Sequence, residues 1–273
     1  MGKLWVAAIA ILASLVSAAA PANAGQFEDG LAAYKSKNYV TAFQLWSPLA
    51  EQGYASAQYN LAFLYADGQG VPQDFSQALK WCRKAAIQGL VQAQGKLGGM
   101  YYDGMGAPQD YTEAAHWLRK AADQGDAVSQ YNLGRMYELG EGLPQNYTEA
   151  FKWYRQAADQ GLGGAQINLG QMYQGGKGIP QSSSEAVGWF RKAADRGTPL
   201  AQALLGFLYS QGQGVPQDYV QAHKWFNLAA SGNPDSDPEF HKDAVSSRDL
   251  VASKMTTSQI AQAQKLAREW KPQ

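Results

Sequence analysis

The sequence repeats itself every 36 residues, and this period limits the possible folds more than any other feature. Each block carries a tyrosine, a glycine, a proline and a tryptophan at the same positions. Five blocks follow one another without a gap: 55–90, 91–126, 127–162, 163–198 and 199–234. A strict period between about 20 and 50 residues is typical of solenoids, in which one supersecondary unit stacks on the next.

The spacing inside each block predicts two helices joined by a turn. Gln58 and Leu61 in the first half, and Trp81 with its flanking alanines in the second half, recur at helical spacing. Between the halves, Gly68 is typical of a helix C-terminus and Asp74 of a helix N-cap. Each N-cap is followed three residues later by Glu or Gln, which predicts five capping boxes. These pairs are Asp74/Gln77, Asp110/Glu113, Asn146/Glu149, Ser182/Glu185 and Asp218/Gln221.

These patterns predict an all-α fold, a single solenoid of helix-pair repeats. The two ends depart from the full pattern, as terminal units of a repeat array do. Residues 25–54 lack the long Gly-Pro connector and are interpreted as an N-terminal capping helix pair. Residues 235–273 are interpreted as C-terminal capping helices, with a capping box at Thr256 and Gln259.

One stretch of the first block and its four copies carry a family resemblance. It reads AQYNLAFLYADGQGVPQDFSQALKWCRKAAIQG. The chain resembles the Sel-one-like repeat family, a branch of the tetratricopeptide-like superfamily, and in particular its exported bacterial members; the resemblance covers residues 27–234. It implies a right-handed α-α superhelix that acts as an adaptor or scaffold. A cysteine-rich subfamily uses disulfides between its helices, but this chain has one cysteine, so that property does not carry over.

The first residues predict an exported protein. Lys3 precedes an apolar run at residues 4–16, and Ala22, Asn23 and Ala24 supply a small-residue cleavage pattern. This arrangement is typical of a signal peptide, here residues 1–24, cut after Ala24. A membrane anchor is the weaker interpretation because the apolar run is short for a bilayer. We therefore expect a periplasmic or secreted chain without a membrane span after cleavage.

Composition and motifs disfavour nucleic-acid binding and catalysis. The chain has 23 Lys+Arg against 23 Asp+Glu and no basic run, whereas nucleic-acid binding needs clustered cations. No familiar catalytic motif occurs, and His116 and His223 are interpreted as separate surface residues, so no metal and no cofactor is expected. Cys82 has bulky apolar equivalents in the other blocks, which predicts a buried packing role.

Two functional hypotheses follow. The first is a non-enzymatic scaffold, expected to be a monomer, that binds a protein or peptide on its concave face. Positions that vary between blocks carry the specificity in this hypothesis, since aromatic residues and arginine are enriched in interfaces. The predicted partner-binding residues are Tyr59, Phe63, Tyr102, Tyr131, Arg135, Glu138, Gln171 and Phe207. The alternative is an envelope hydrolase acting on β-lactam or cell-wall material, for which the sequence offers no nucleophile–base pair.

Overall fold

The computed structural model describes residues 21–232 and 236–272, and within these residues it contains helices and no strand. The all-α solenoid of helix pairs is confirmed. Residues 1–20, most of the predicted signal peptide, lie outside the described residues. The helices are α1 (Pro21–Lys35), α2 (Tyr39–Glu51), α3 (Ala55–Asp67), α4 (Phe75–Ile87), α5 (Val91–Asp103), α6 (Tyr111–Asp123), α7 (Ala127–Leu139), α8 (Tyr147–Asp159), α9 (Gly163–Gly175), α10 (Ser183–Asp195), α11 (Pro199–Gln211), α12 (Tyr219–Ala229), α13 (Pro238–Ala252) and α14 (Thr257–Glu269).

The helices form two compact units. The first unit runs to Ser129 and includes residues 141–143; the second contains residues 130–140 and everything from Pro144 onward. In the first unit each helix from α1 to α6 packs against the next one along the chain. In the second unit the same holds from α8 to α13, and α14 also packs against α12. Contacts between consecutive helices are the defining property of a solenoid.

The turn within each repeat has the predicted glycine and N-cap. Gly68 has a φ of 66° and its N–H donates to the Leu64 carbonyl, which ends α3. The Asp74 carboxylate then accepts hydrogen bonds from the first backbone N–H groups of α4. The predicted capping boxes are only half formed, however. The N–H of Asp74 donates to the Tyr65 carbonyl at 2.9 Å, and the other four repeats make the same backbone bond, so it is not available to the residue three positions on.

A second glycine in each turn packs tightly against the preceding repeat. Gly106 has a φ of 81°, and a Cβ placed on it would lie 2.1 Å from the Phe75 carbonyl oxygen. Positive φ disfavours other residues, and here the neighbouring backbone also leaves no room for a side chain. This glycine therefore fixes how closely one repeat approaches the next.

The two helices of a repeat meet where a small residue faces a bulky one. Four first helices have a glycine at the contact, and a Cβ there would lie 2.4–3.1 Å from the facing side chain. These pairs are Gly98 with Leu118, Gly134 with Tyr154, Gly170 with Phe190 and Gly206 with Phe226. The first repeat has Ala62 and Cys82 at the same positions, both buried. The smaller partner, Cys82, compensates for the extra methyl group of Ala62, because a close-packed contact conserves total volume.

The packing role predicted for Cys82 is confirmed. Its side chain is fully buried and its Sγ lies 3.3 Å from the Ala93 carbonyl oxygen. Burial raises the pKa of the thiol to about 12. A thiol with such a pKa contains almost no thiolate at neutral pH, and the thiolate is the nucleophilic form.

The C-terminal helices close the second unit. Thr256 and Gln259 form the predicted capping box in full, with both reciprocal bonds present. Ala263 and Ala267 are buried, and the Trp270 ring lies 6.4 Å from the ring of Trp225. The surface position predicted for His223 is wrong: this residue is 2% exposed and lies on α12, which packs against α11, α13 and α14. Burial and the nearby Arg248 lower the pKa of His223, whereas His116 is exposed as predicted.

Candidate binding surface

The predicted partner-binding residues all belong to the first helices of the repeats. In the first unit, Tyr59 is only 8% exposed, so the prediction that it lies off the packing face is wrong. Its ring packs edge-to-face on Phe63, with centroids 4.9 Å apart. Phe63 is half-buried, and the Lys96 Nζ lies 5.1 Å from its ring. Burial raises the pKa of Tyr59 and lowers that of Lys96, as expected for groups partly removed from water.

The side chain of Tyr102 is half-buried, and its hydroxyl group forms a hydrogen bond. The hydroxyl donates to Glu141 Oε2 at 2.7 Å, and the ring lies 5.1 Å from that of Tyr111. Glu141, which was not predicted, belongs to the turn of the following repeat. Tyr102 therefore holds that turn through its hydroxyl group while its side chain remains half-exposed.

In the second unit, Tyr131, Arg135 and Glu138 lie on α7 and are half-buried. The Tyr131 ring packs 5.7 Å from that of Tyr154. Glu138 accepts a hydrogen bond from the Tyr154 hydroxyl at 2.8 Å and lies 3.7 Å from Lys177 Nζ. Burial, together with the adjacent Glu138 carboxylate, raises the pKa of Tyr154. Glu138, on α7, thus contacts side chains from α8 and from the turn after α9, and is a structural residue as well as a surface one.

Gln171 and Phe207 are the predicted residues most open to solvent. Gln171 is exposed on α9, and Phe207 is 45% exposed on α11. Leu139 and Leu200, on the first helices α7 and α11, are 53% and 46% exposed. A phenylalanine and leucines exposed on first helices of one unit favour an interaction surface there, because large apolar side chains gain free energy when a partner covers them.

A glutamine ladder, which the sequence analysis did not predict, connects the two helices of a repeat. Gln58 Nε2 donates to the Ala50 carbonyl of the preceding repeat at 3.0 Å, and its Oε1 accepts from Gln88 Nε2 at 2.8 Å. Two further pairs share the second bond, Gln94 with Gln124 and Gln130 with Gln160. The recurrence of glutamine at both positions was the available sequence signal. In the next repeat Arg196 replaces the donor, and Gln166 Oε1 has no partner among the described residues.

The described residues contain no group of three or more histidines, cysteines, aspartates or glutamates placed to hold a metal ion. In the same part of the chain, none of the helices combines the length and the apolar character needed to cross a bilayer.

A model of the Sel1 repeat family matches six segments of the chain: 22–54, 55–90, 91–126, 127–162, 164–198 and 199–234. The chain belongs to the Sel1 repeat family. The first segment covers nearly all of α1 and α2, so the pair interpreted as an N-terminal cap is itself matched as a repeat. Sel1 repeat proteins are generally non-enzymatic scaffolds for protein interactions.

Solved structures similar to this chain include three from bacteria. A Sel1 repeat protein from Oxalobacter formigenes is 30% identical, with a TM-score of 0.73 over 90% of this chain and 100% of its own. A protective antigen of uropathogenic Escherichia coli with an SLR fold is 28% identical, with a TM-score of 0.43 over 91% of this chain and 68% of its own. An immunity protein from Pseudomonas aeruginosa is 20% identical, with a TM-score of 0.44 over 86% of this chain and 84% of its own. The chain matches no curated protein.

Proposed function

We propose that this Sel1 repeat chain is a non-enzymatic scaffold that binds a protein or peptide on the concave face, through the first helices of its repeats. The observation that carries the proposal is the exposure of Phe207, Leu139 and Leu200 on first helices. The tryptophans and alanines that recur in every repeat are buried in the packing, whereas these residues vary from repeat to repeat. Variable, exposed apolar side chains are suited to recognising a specific partner.

Double substitution of Arg135 and Phe207 by alanine should weaken partner binding by at least about 2 kcal/mol, because arginine and aromatic side chains dominate interface energies. The partner is first isolated from envelope extracts with residues 25–273 as bait, and affinity is then measured by calorimetric titration. The melting temperature should change little, since Phe207 is 45% exposed and Arg135 is half-buried.

Leu250→Ala is the matched control for that double variant. Leu250 is 62% exposed on α13, outside the first helices, so its loss should leave affinity unchanged. Unchanged affinity in the Arg135/Phe207 variant would contradict a site on the first helices.

We also propose that the chain is exported, to the periplasm or out of the cell. The support is the sequence alone: a short positive region, an apolar run and the pattern Ala22-Asn23-Ala24. N-terminal sequencing of the exported protein should return Gly25 as the first residue. A sequence that began at Met1 would contradict the proposal.

The envelope-hydrolase alternative receives no support from the described residues. Cys82 is buried and its raised pKa keeps it protonated. A hydrolase of this class needs an activated nucleophile beside a base. Turnover by purified protein that disappears with a single substitution would restore this alternative.

A further inference from the structure

The second helices of four consecutive repeats have the same length but different charge. Each of α6, α8 and α10 carries two acidic and two basic residues, the acids near the two ends of the helix. In α4 both acidic positions are neutral: Gln77 stands at the first and Ile87 at the second. Its three charged residues are Lys80, Arg83 and Lys84, so α4 has a formal charge of +3 where the other three helices are neutral.

In α8, the acids at the two positions that are neutral in α4 pair with bases of the same helix. In α8, Glu149 lies 2.6 Å from Lys152, and Asp159 lies 3.0 Å from Arg155. Lys80, Arg83 and Lys84 are all exposed, and no ion pair joins them to a carboxylate in the part of the chain that the structure describes.

Aromatic rings hold these three cations at the surface. Lys84 Nζ lies 4.2 Å and Lys80 Nζ 5.8 Å from the centroid of the Trp81 ring, and the Arg83 guanidinium lies 5.5 Å from that of Tyr101. Side chains that rest on rings are partly ordered before binding, so less conformational entropy is lost when an anion contacts them. Their charged groups remain in water and available.

Ile87 is an exposed apolar residue at the end of α4, next to these three cations. It is 69% exposed and lies three residues after Lys84 and four after Arg83, which places it on the same side of the helix. Lys80, Arg83, Lys84 and Ile87 are named here the basic ridge. Asp74 caps the opposite end of α4, and the acidic residues Glu51 and Asp123 occupy the position of Ile87 in the neighbouring repeats.

We propose that the basic ridge is a docking surface for an acidic segment of a protein partner, with carboxylates for the three cations and an apolar side chain for Ile87. This inference rests on the proposed scaffold function and names a second surface and the chemistry of its partner. The ridge spans about 10 Å from Lys80 to Ile87, so an extended acidic segment of about four residues covers it.

An anionic membrane is the less suitable occupant. A helix that binds a lipid surface inserts an apolar face into the headgroup region. The apolar face of α4 is occupied, because Ala78, Trp81, Cys82 and Ala85 are buried in the protein. Ile87 alone is the apolar residue of the ridge, which is sufficient for one side chain of a peptide.

The double variant Gln77→Glu/Ile87→Asp tests the proposal. It gives α4 the charge pattern of its neighbours and keeps every cation. The probe is a fluorescein-labelled peptide of Asp, Glu and one Leu, and its binding to the protein is measured by fluorescence anisotropy. The control peptide has Asn and Gln in place of the acidic residues. The matched control variant is Leu250→Asp/Gln264→Glu, which adds the same charge at exposed positions of α13 and α14.

Wild type should bind the acidic peptide, more weakly at about 0.15 M salt than at low salt. Gln77→Glu/Ile87→Asp should bind it about tenfold less tightly, the effect of losing several exposed charge contacts, and the control variant should match wild type. Equal binding of the amide peptide, or unchanged binding by the α4 variant, would overturn the proposal. So would wild-type binding to vesicles with about 30% anionic lipid but not to the peptide.

The same variants separate this inference from the scaffold function. A captured partner whose affinity falls in the Arg135/Phe207 variant but not in the α4 variant would overturn the ridge and support the first-helix surface. A partner that responds to the α4 variant supports the ridge.

Discussion

Trp153→Ala should lower the free energy of unfolding by about 3–5 kcal/mol, as large aromatic truncations in cores do. Trp153 is 8% exposed, and the tryptophans at the same position in the other repeats are 3–9% exposed. Its removal leaves a cavity between packed helices that rigid neighbours cannot fill. Urea unfolding followed by circular dichroism measures the change.

The control for this substitution is Gln156→Ala on the same helix. Gln156 is exposed, so its replacement should change stability by less than about 0.5 kcal/mol. If the two variants unfolded at the same urea concentration, the recurring tryptophan would not be a packing residue.

Gly106→Ala should cost about 2–5 kcal/mol, from two separate causes. An alanine at positive φ costs roughly 1–2 kcal/mol, and forcing a methyl group against packed atoms typically adds about 1–3 kcal/mol. The second cause applies because the new Cβ would lie 2.1 Å from the Phe75 carbonyl oxygen, a backbone atom that cannot swing away. Thermal and urea unfolding both report this loss.

Gly89→Ala separates the two causes. Gly89 has a φ of 91°, but no atom lies within 4 Å of the Cβ position, so only the backbone cost applies. Equal losses of stability at Gly89 and Gly106 would mean that the contact between repeats is not tight.

A third glycine, Gly188, lies inside α10 with open space around its Cβ position. Alanine there should stabilise the helix by about 0.5–1 kcal/mol.

Features set by local chemistry could be predicted from the sequence. Gly68 and Asp74 end and begin their helices through bonds to residues close in the chain, so their residue types are sufficient evidence of their roles. Local residue types could not show that the capping box predicted at Asp74 and Gln77 forms only in half. The partner of Gln77, the N–H of Asp74, is used by the carbonyl of Tyr65, nine positions back in the preceding helix.

Exposure on the candidate surface was harder to predict. Helical periodicity gives the direction in which a residue such as Tyr59 points, but not how far neighbouring side chains cover it. Tyr59 is buried although it lies beside the packing face, whereas Phe207 was correctly placed at the surface. The burial of His223 could have been predicted from the repeat itself, because the same position is Ala115 and Val187 in two other repeats and both are buried.

The glutamine ladder has a consequence for how such an array grows. In blocks 55–90 and 91–126 the amide oxygen of one glutamine and its donor, 30 residues later, lie in the same block, and the first glutamine donates to one backbone carbonyl of the block before. If one such block were duplicated in tandem, the new copy would therefore form its own buried hydrogen bonds. This would not depend on which side chains the neighbouring blocks carry. Blocks 163–198 and 199–234, which have Arg196 and Gly232 at the donor position, have lost this property. Gene duplication can lengthen the array within the laddered blocks at no cost in unsatisfied amides, whereas a copy of block 163–198 would repeat the unpaired Gln166 Oε1.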